Sequence, residues 1–274
     1  MATKKKDVVE TKQSSSISIE QPRTDWIGLE VTGDVGSGLI QNAFCQKTIE
    51  QILRKHMGLT VQKEKKVPRQ CIEDATIRNM KGEVCIPVAA FKKGMLTAST
   101  LIKGLKKTQL RIQLFIEGKS IPISYETMTP RMDMVRVGPA KTPDVRFRPM
   151  FDGWKARLII NYSDVLPVQT VVDLLNRAGR VGVCEWRPEK DGTFGTYKVT
   201  RNITSAKEIA EVKDLCATPL TPLVIPPWAM DAELDAKILA KIAGSAESHE
   251  NGVDEEEESV ERPDDDEPEV EKSA

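Results

Sequence analysis

The sequence predicts an α+β protein in which an antiparallel sheet carries its helices on one face. Apolar residues recur at period two in short runs such as Trp26–Val31 and Trp154–Ile160, and at three-and-four spacing in others such as residues 168–178. The runs follow one another as β-α-α-β-α-β-β and then β-α-loop-β, which lacks the regular alternation of a doubly wound parallel sheet. The closing strand, helix, loop and strand supply half of a ferredoxin-like or RRM-like fold, a sheet type widely used for single-stranded nucleic acid.

Residues 1–24 are polar, include Ser14, Ser15 and Ser16, and show neither period, so they are expected to be disordered. The first strand leads into Gly33, Gly36 and Gly38. Their order is wrong for a dinucleotide fingerprint and no Gly-Lys-Ser/Thr follows, so they read as a plain turn. Asn42 is placed to cap a helix whose stripe is Phe44, Cys45, Ile49, Ile52 and Leu53, ended by Gly58. A second short helix is expected over residues 71–80 and a brief strand over Val84–Pro87. A third helix, from Val88 to Lys103, packs Phe91, Met95, Ala98 and Ile102 and leaves Lys92, Lys93, Lys103, Lys106 and Lys107 on its far face and end. Leu110, Ile112, Leu114 and Ile116 alternate, and Gly118-Lys119 turns the chain back, so residues 110–125 read as a β-hairpin.

Residues 126–151 show no clear period and read as a long irregular connection. Loops of that length in compact domains are usually functional or disordered, and this one is too apolar for a solvated linker. After the strand at Trp154–Ile160, Pro167 suits the first turn of a helix with Val168, Val171, Val172, Leu175 and Ala178 on one side. Gly179 suits the left-handed residue that closes it, and a glycine loop leads to a strand at residues 194–199. A polar helix over 204–215, an apolar Pro-rich segment over 219–228 that must lie against something, and an amphipathic helix over 231–243 complete the body. The expected organisation is a single domain over 25–215, a Pro-rich segment and helix over 216–244, and a disordered acidic tail over 245–274.

Composition narrows the function. From Glu247 onward 14 acidic residues face only Arg262 and Lys272, a net of −12, which leaves +11 on residues 1–246 of a chain whose formal charge is −1. A basic body suits a polyanion, and the tail either competes for that surface, recruits partners or merely aids solubility. There is no run of eighteen apolar residues and no hydrophobic segment behind the early lysines, so a cytoplasmic protein without a membrane partner is expected. Five scattered cysteines with no C-x-x-C pair argue against a disulfide framework or a thiolate zinc site, and no cofactor is expected. Only His56 and His249 are available to histidine chemistry, so catalysis is not expected.

Two stretches hold the candidate site. Residues 126–151 interleave Arg131, Arg136, Lys141, Arg146 and Arg148 with Met128, Met132, Met134, Phe147, Met150 and Phe151, a mixture able to contact phosphates while wedging between or stacking on unpaired bases. The glycine loop contributes Gly179, Gly182, Gly192 and Gly195, which let backbone approach a phosphodiester closely. Arg180, Arg187 and Lys190 stand beside them with the flat faces of Trp186 and Phe194. The same residues also suit a plain turn, with aromatic rings in the core and arginines in water.

The segment AGRVGVCEWRPEKDGTFGTYKV, behind an apolar helix and ahead of a strand, resembles the glycine-rich loop of the RAMP superfamily, the RRM-like proteins that form the backbones and processing enzymes of CRISPR effector complexes. The segments IRNMKGEVCIPVAAFKKGMLTAS, RFRPMFDGWKARLIINY and GVCEWRPEKDGTFG are similar to a family of uncharacterised phage and prophage proteins, over roughly residues 72–199. The RAMP resemblance implies a loop near bound RNA and carries over Gly179, Gly182, Arg187, Gly192 and Gly195. The processing enzymes often use a histidine, which only His56 would supply, so a backbone-type binder is expected. The expected function is thus a non-enzymatic, phage-encoded binder of single-stranded DNA or RNA. The alternatives are a self-associating assembly protein, a possible homo-oligomer joined through the Pro-rich segment and terminal helix, and a histidine-dependent ribonuclease.

Overall fold

The computed structural model describes residues 23–61, 65–231 and 233–239. Residues 1–22 of the expected disordered start and the acidic tail therefore lie outside the described residues, and Thr24, expected in that start, opens a strand. The chain divides into one unit of residues 1–48 and 63–223 and another of 49–62 and 224–274.

In the larger unit β1 (Thr24–Gly33) and β2 (Leu39–Ile40) open the chain, and α1 (Gln46–His56) crosses into the smaller unit. Then follow α2 (Pro68–Ala75), β3 (Cys85–Pro87), α3 (Val88–Ala98), α4 (Lys107–Gln113), β4 (Leu114–Ile116), β5 (Ser120–Ser124), β6 (Thr127–Val137), β7 (Thr142–Asp152), β8 (Lys155–Ser163), α5 (Val168–Val181), β9 (Tyr197–Ile203) and α6 (Ala206–Ala217).

The fold is α+β, built on an antiparallel sheet of order β3-β5-β8-β1-β9 with β4 paired to β8 beyond β5. Its register is set by apolar pairs on one face: Ile27 opposite Ile160, Leu29 opposite Leu158, Val31 opposite Ala156. A slip of one residue would turn all of them to the other face, so this burial fixes the pairing. β1, α3, β5, β8, α5 and β9 form a β-α-β-β-α-β unit with strands ordered β5-β8-β1-β9, the ferredoxin-like arrangement. The half legible over residues 154–199 is completed by β1, α3 and β5. Phe91 of α3 meets the ring of Tyr197 at 5.4 Å, and Trp154 meets the same ring at 5.9 Å. On the opposite face, where Glu30 pairs with Arg157, α6 is held by Glu208 and Glu211 against Arg157 and Arg201.

Several boundaries differ from the sequence reading. Residues 107–113 are helical, because Leu110 and Leu114 serve one buried side at i, i+4, whereas Ile112 is 74 % exposed. The expected hairpin over 110–125 is instead a single run: β4 and β5 both pair with β8, and between them the chain swings out so that β5 also pairs with β3. The second helix ends at Ala75, and Arg78 and Asn79 make bridges to Val84 and Leu220. This second bridge, with Met80 N–H donating to Pro219 O, shows where the Pro-rich segment begins to pack. The first helix begins at Gln46, so Asn42 does not cap it. α3 gives way at Ser99–Leu101 to a 3-10 turn.

In the smaller unit Arg54 stacks its guanidinium 4.4 Å from the Trp228 ring centroid, Pro227–Met230 forms a 3-10 turn, and residues 233–239 are helical.

Candidate nucleic-acid interface

The stretch expected to be irregular, residues 126–151, is an antiparallel ribbon of β6 and β7 inserted between the second and third strands of the ferredoxin-like core. Pro130, Pro139, Pro143 and Pro149 hide it in the sequence. Pro130 lies directly opposite Pro149, on an edge strand, where a missing donor is tolerated. Gly138 (φ 71°) and Lys141 (φ 49°) turn the tip, and Lys141 N–H donates to Gly138 O at 3.0 Å. The base is rooted by Phe151, which is buried, pairs with Leu39 of β2 and packs 4.7 Å from Tyr125.

Residues directly opposite in such a ribbon share a face. One face carries Arg131, Asp133, Asp144, Arg146 and Arg148. Arg131 Nε donates to Asp133 Oδ1 at 2.7 Å, Arg148 Nη1 lies 3.6 Å from Asp133 Oδ2, and Arg146 Nε lies 3.6 Å from Asp144 Oδ2. Lys66 hydrogen-bonds Asp144 and the Val145 carbonyl. Its ammonium, with Arg146 behind it, holds the Asp144 carboxyl below the usual range. Arg148 is 3 % exposed; burial pulls its pKa down, and the charges of Glu185 and Asp133 oppose that.

The other face carries Met128, Met132, Met134 and Arg136, with Phe147 across from Met132 and Val145 across from Met134. Met132 and Met134 are 69 % and 68 % exposed. The usual relation is inverted here, with charges packed inward and methionines turned to solvent.

The glycine loop stands beside the ribbon. Arg131 lies 4.6 Å over the Phe194 ring, and Ile40, whose strand pairs with β7, bridges to Glu185. The glycines serve close packing of backbone on backbone. A Cβ at Gly179 would lie 1.8 Å from Tyr197 O, at Gly192 1.8 Å from Trp186 O, and at Gly195 2.0 Å from Val183 O. Gly179 is an inner residue of α5 rather than its left-handed terminus, a role that Gly182 takes at φ 78°. The loop also answers many of its own N–H groups. Val183 donates to Gly195 O, Glu185 to Ile40 O, Gly192 to Arg187 O, Phe194 to Trp186 O and Gly195 to Gly38 O.

Arg187 donates to Glu189 through Nε at 2.9 Å and to Cys184 O through Nη1 at 2.7 Å. Burial pushes the Cys184 thiol up to about 12. Cys184, Trp186 and Asp191 hold left-handed φ of 63°, 52° and 59°. A cluster of strained non-glycine residues is a mark of a functional segment.

The structure thus brings the two predicted stretches together and sorts their residues. Arg136, Lys141, Arg180 and Lys190 are exposed. Arg131, Arg146 and Arg187 are half-buried and engaged by carboxylates, and Arg148 is buried, so it does not reach a phosphate in this conformation. Trp186 is half-buried with its Nε1 enclosed, and Phe194 is half-buried with the Arg131 guanidinium over its ring. Gly179, Gly182 and Gly195 are buried and Gly192 half-buried, which makes them architectural. Lys66, the last residue of the basic run from Lys63, is a further cation at the ribbon that lies outside the two candidate stretches.

Among the described residues no group of three or more His, Cys, Asp or Glu is placed to hold a metal ion, and no helix is long and apolar enough to cross a membrane. No family model matches the chain, nor does any curated protein. Among solved structures, it is similar to a chain of a cryo-EM structure of the type III-B Cmr-beta complex bound to cognate target RNA, with a TM-score of 0.41 and 10 % identity. The match covers 66 % of this chain and 60 % of that one, so this chain spans less than two thirds of its neighbour's length.

Proposed function

We propose that this protein binds single-stranded nucleic acid, RNA or DNA, without catalysing a reaction on it, and that the β6–β7 ribbon is the element that meets the strand. The observation that carries the reading is the ribbon's outer face. Met132 and Met134 stand in solvent beside Phe147 and Arg136, with Lys141 at the tip. Unbranched thioether side chains fit between unstacked bases, and the cations near them neutralise phosphates. The Arg131–Asp133–Arg148 cluster, in which Asp133 and Arg148 are buried, stiffens the ribbon from behind. The RAMP-like loop sequence agrees with this reading, and a phage origin rests on the sequence resemblance alone. His56 is exposed on the last turn of α1, and no catalytic role is assigned to it.

Filter binding with labelled single- and double-stranded RNA and DNA at two salt concentrations tests this directly. Met132→Ser, Met134→Ser and Arg136→Gln combined should weaken single-strand binding roughly tenfold to a hundredfold, as loss of a stacking contact does. The melting temperature should not change. Equal affinity in the wild type and the variant would end the assignment to the ribbon, and absence of binding to any strand would end the function. Bound RNA should be recovered at full length.

A second reading has its own support. β6 is the unpaired edge of its sheet, and the apolar face beside it suits another copy of this chain. On that reading the same variant dissociates an oligomer seen by sedimentation without nucleic acid.

A further inference from the structure

Residues 84–116 contain Lys92, Lys93, Lys103, Lys106, Lys107 and Arg111 and no carboxylate, the flanking acids being Glu83 and Glu117. The run spans β3, α3, the 3-10 turn, α4 and β4. Elsewhere the arginines at 131, 148, 157, 187 and 201 each sit against Asp or Glu. Here Lys103, Lys106, Lys107 and Arg111 are exposed, and among the described residues none of the four is joined to a carboxylate in an ion pair. Lys107 and Arg111 are four apart on α4, where like charges repel. An anion seated between them would relieve that cost.

Flat apolar surface lies next to the charge. Phe115 is 52 % exposed with Lys92 Nζ 4.3 Å from its ring centroid, and Ile112 and Leu101 are exposed as well. α3 links this surface to the glycine loop. Lys93, the neighbour of Lys92, lines a cavity of about 240 Å³ with Gly182, Arg187 and Glu189, and Thr97 Oγ1 donates to Glu189 Oε1 at 3.3 Å.

We propose that the surface of α3, α4 and β4, whose own residues include no acid, is a second contact face for single-stranded nucleic acid, with Lys103, Lys106, Lys107 and Arg111 on phosphates and Phe115 against a base. The proposal rests on the binding function given above and extends it to residues outside the ribbon and loop. Fields from unpaired cations supply affinity through counterion release, and an exposed ring supplies sequence-tolerant stacking.

The test uses the full chain, labelled oligouridylate and oligothymidylate, and fluorescence anisotropy across a salt series. Lys106→Gln, Lys107→Gln and Arg111→Gln combined should weaken binding about tenfold or more. The log-log salt slope should become shallower by about 2, at roughly 0.7 per neutralised phosphate on single strands. Phe115→Ser should weaken binding with the slope unchanged, which separates stacking from charge. If the wild type binds and the triple variant keeps both affinity and slope, this face is not used, and the ribbon reading is untouched. If the triple variant loses binding while the ribbon variant does not, this face stands and the ribbon assignment falls. If the wild type binds neither oligonucleotide, both fall. Binding of the triple variant to RNA as the wild type, with loss of binding to polyglutamate, would assign the surface to an acidic protein and overturn the proposal.

Discussion

The glycine loop and the β6–β7 ribbon carry similar sequence credentials, basic residues among glycine or aromatic neighbours, yet they use them in opposite ways. The loop turns inward. Its glycines admit carbonyl groups of Tyr197, Trp186 and Val183, and Arg187 closes on Glu189 and Cys184 O. The ribbon gathers its charges into ion pairs on one face and presents methionine on the other. Cationic composition locates a region near a site. Whether a cation is displayed depends on the nearest carboxylate, which sequence proximity does not reveal.

The sharpest way to break this contrast is a methyl group in the loop. Gly192→Ala sets a Cβ 1.8 Å from Trp186 O, in backbone that cannot swing aside as a side chain would. It should cost on the order of 4 kcal/mol or prevent folding, by overpacking at a site with no slack. A urea melt showing less than about 1 kcal/mol would mean that the loop is loose and available to a ligand after all. Next in size is the ribbon's inner face. Asp133→Ala leaves Arg148 buried without its carboxylate and should cost about 3 kcal/mol. Adding Arg148→Met should recover much of that loss, since the cost lies in the orphaned charge. Failure to recover would show that the pair stabilises by more than mutual neutralisation.

The core was legible where burial follows period. Leu29 and Val31 against Leu158 and Ala156, and Val171, Leu175 and Ala178 along α5, bury the residues their spacing selects. The ribbon was illegible because its pattern is inverted: Asp133 and Arg148 are inside, Met132 and Met134 outside, and prolines interrupt the remaining alternation. The helix at residues 107–113 was misread because Leu110 and Leu114 satisfy periods of two and of four alike. Residue type alone does not reveal the surroundings of Arg148, Trp186 and Phe194. Arg148 lies beside Asp133, the Trp186 Nε1 is enclosed and Arg131 lies over the Phe194 ring, contacts that sequence spacing does not show.

The smallest expected effect probes how tightly the ribbon is tied along its length. The Asp144 carboxyl lies below its ordinary value chiefly because Lys66 hydrogen-bonds it. A depressed folded pKa gives stability that is present above the unfolded value and is lost as pH falls through the folded one. Lys66→Met should therefore raise the Asp144 titration midpoint seen by NMR toward that of an ordinary aspartate and flatten the acid side of the stability profile. Both partners are more than a third exposed, so solvent screening limits the change at neutral pH to about 0.5 kcal/mol. A midpoint that does not move would mean that Arg146 alone sets the carboxylate. Lys66 would then be a free surface cation beside the ribbon, available to a phosphate in the same way as Arg136 and Lys141.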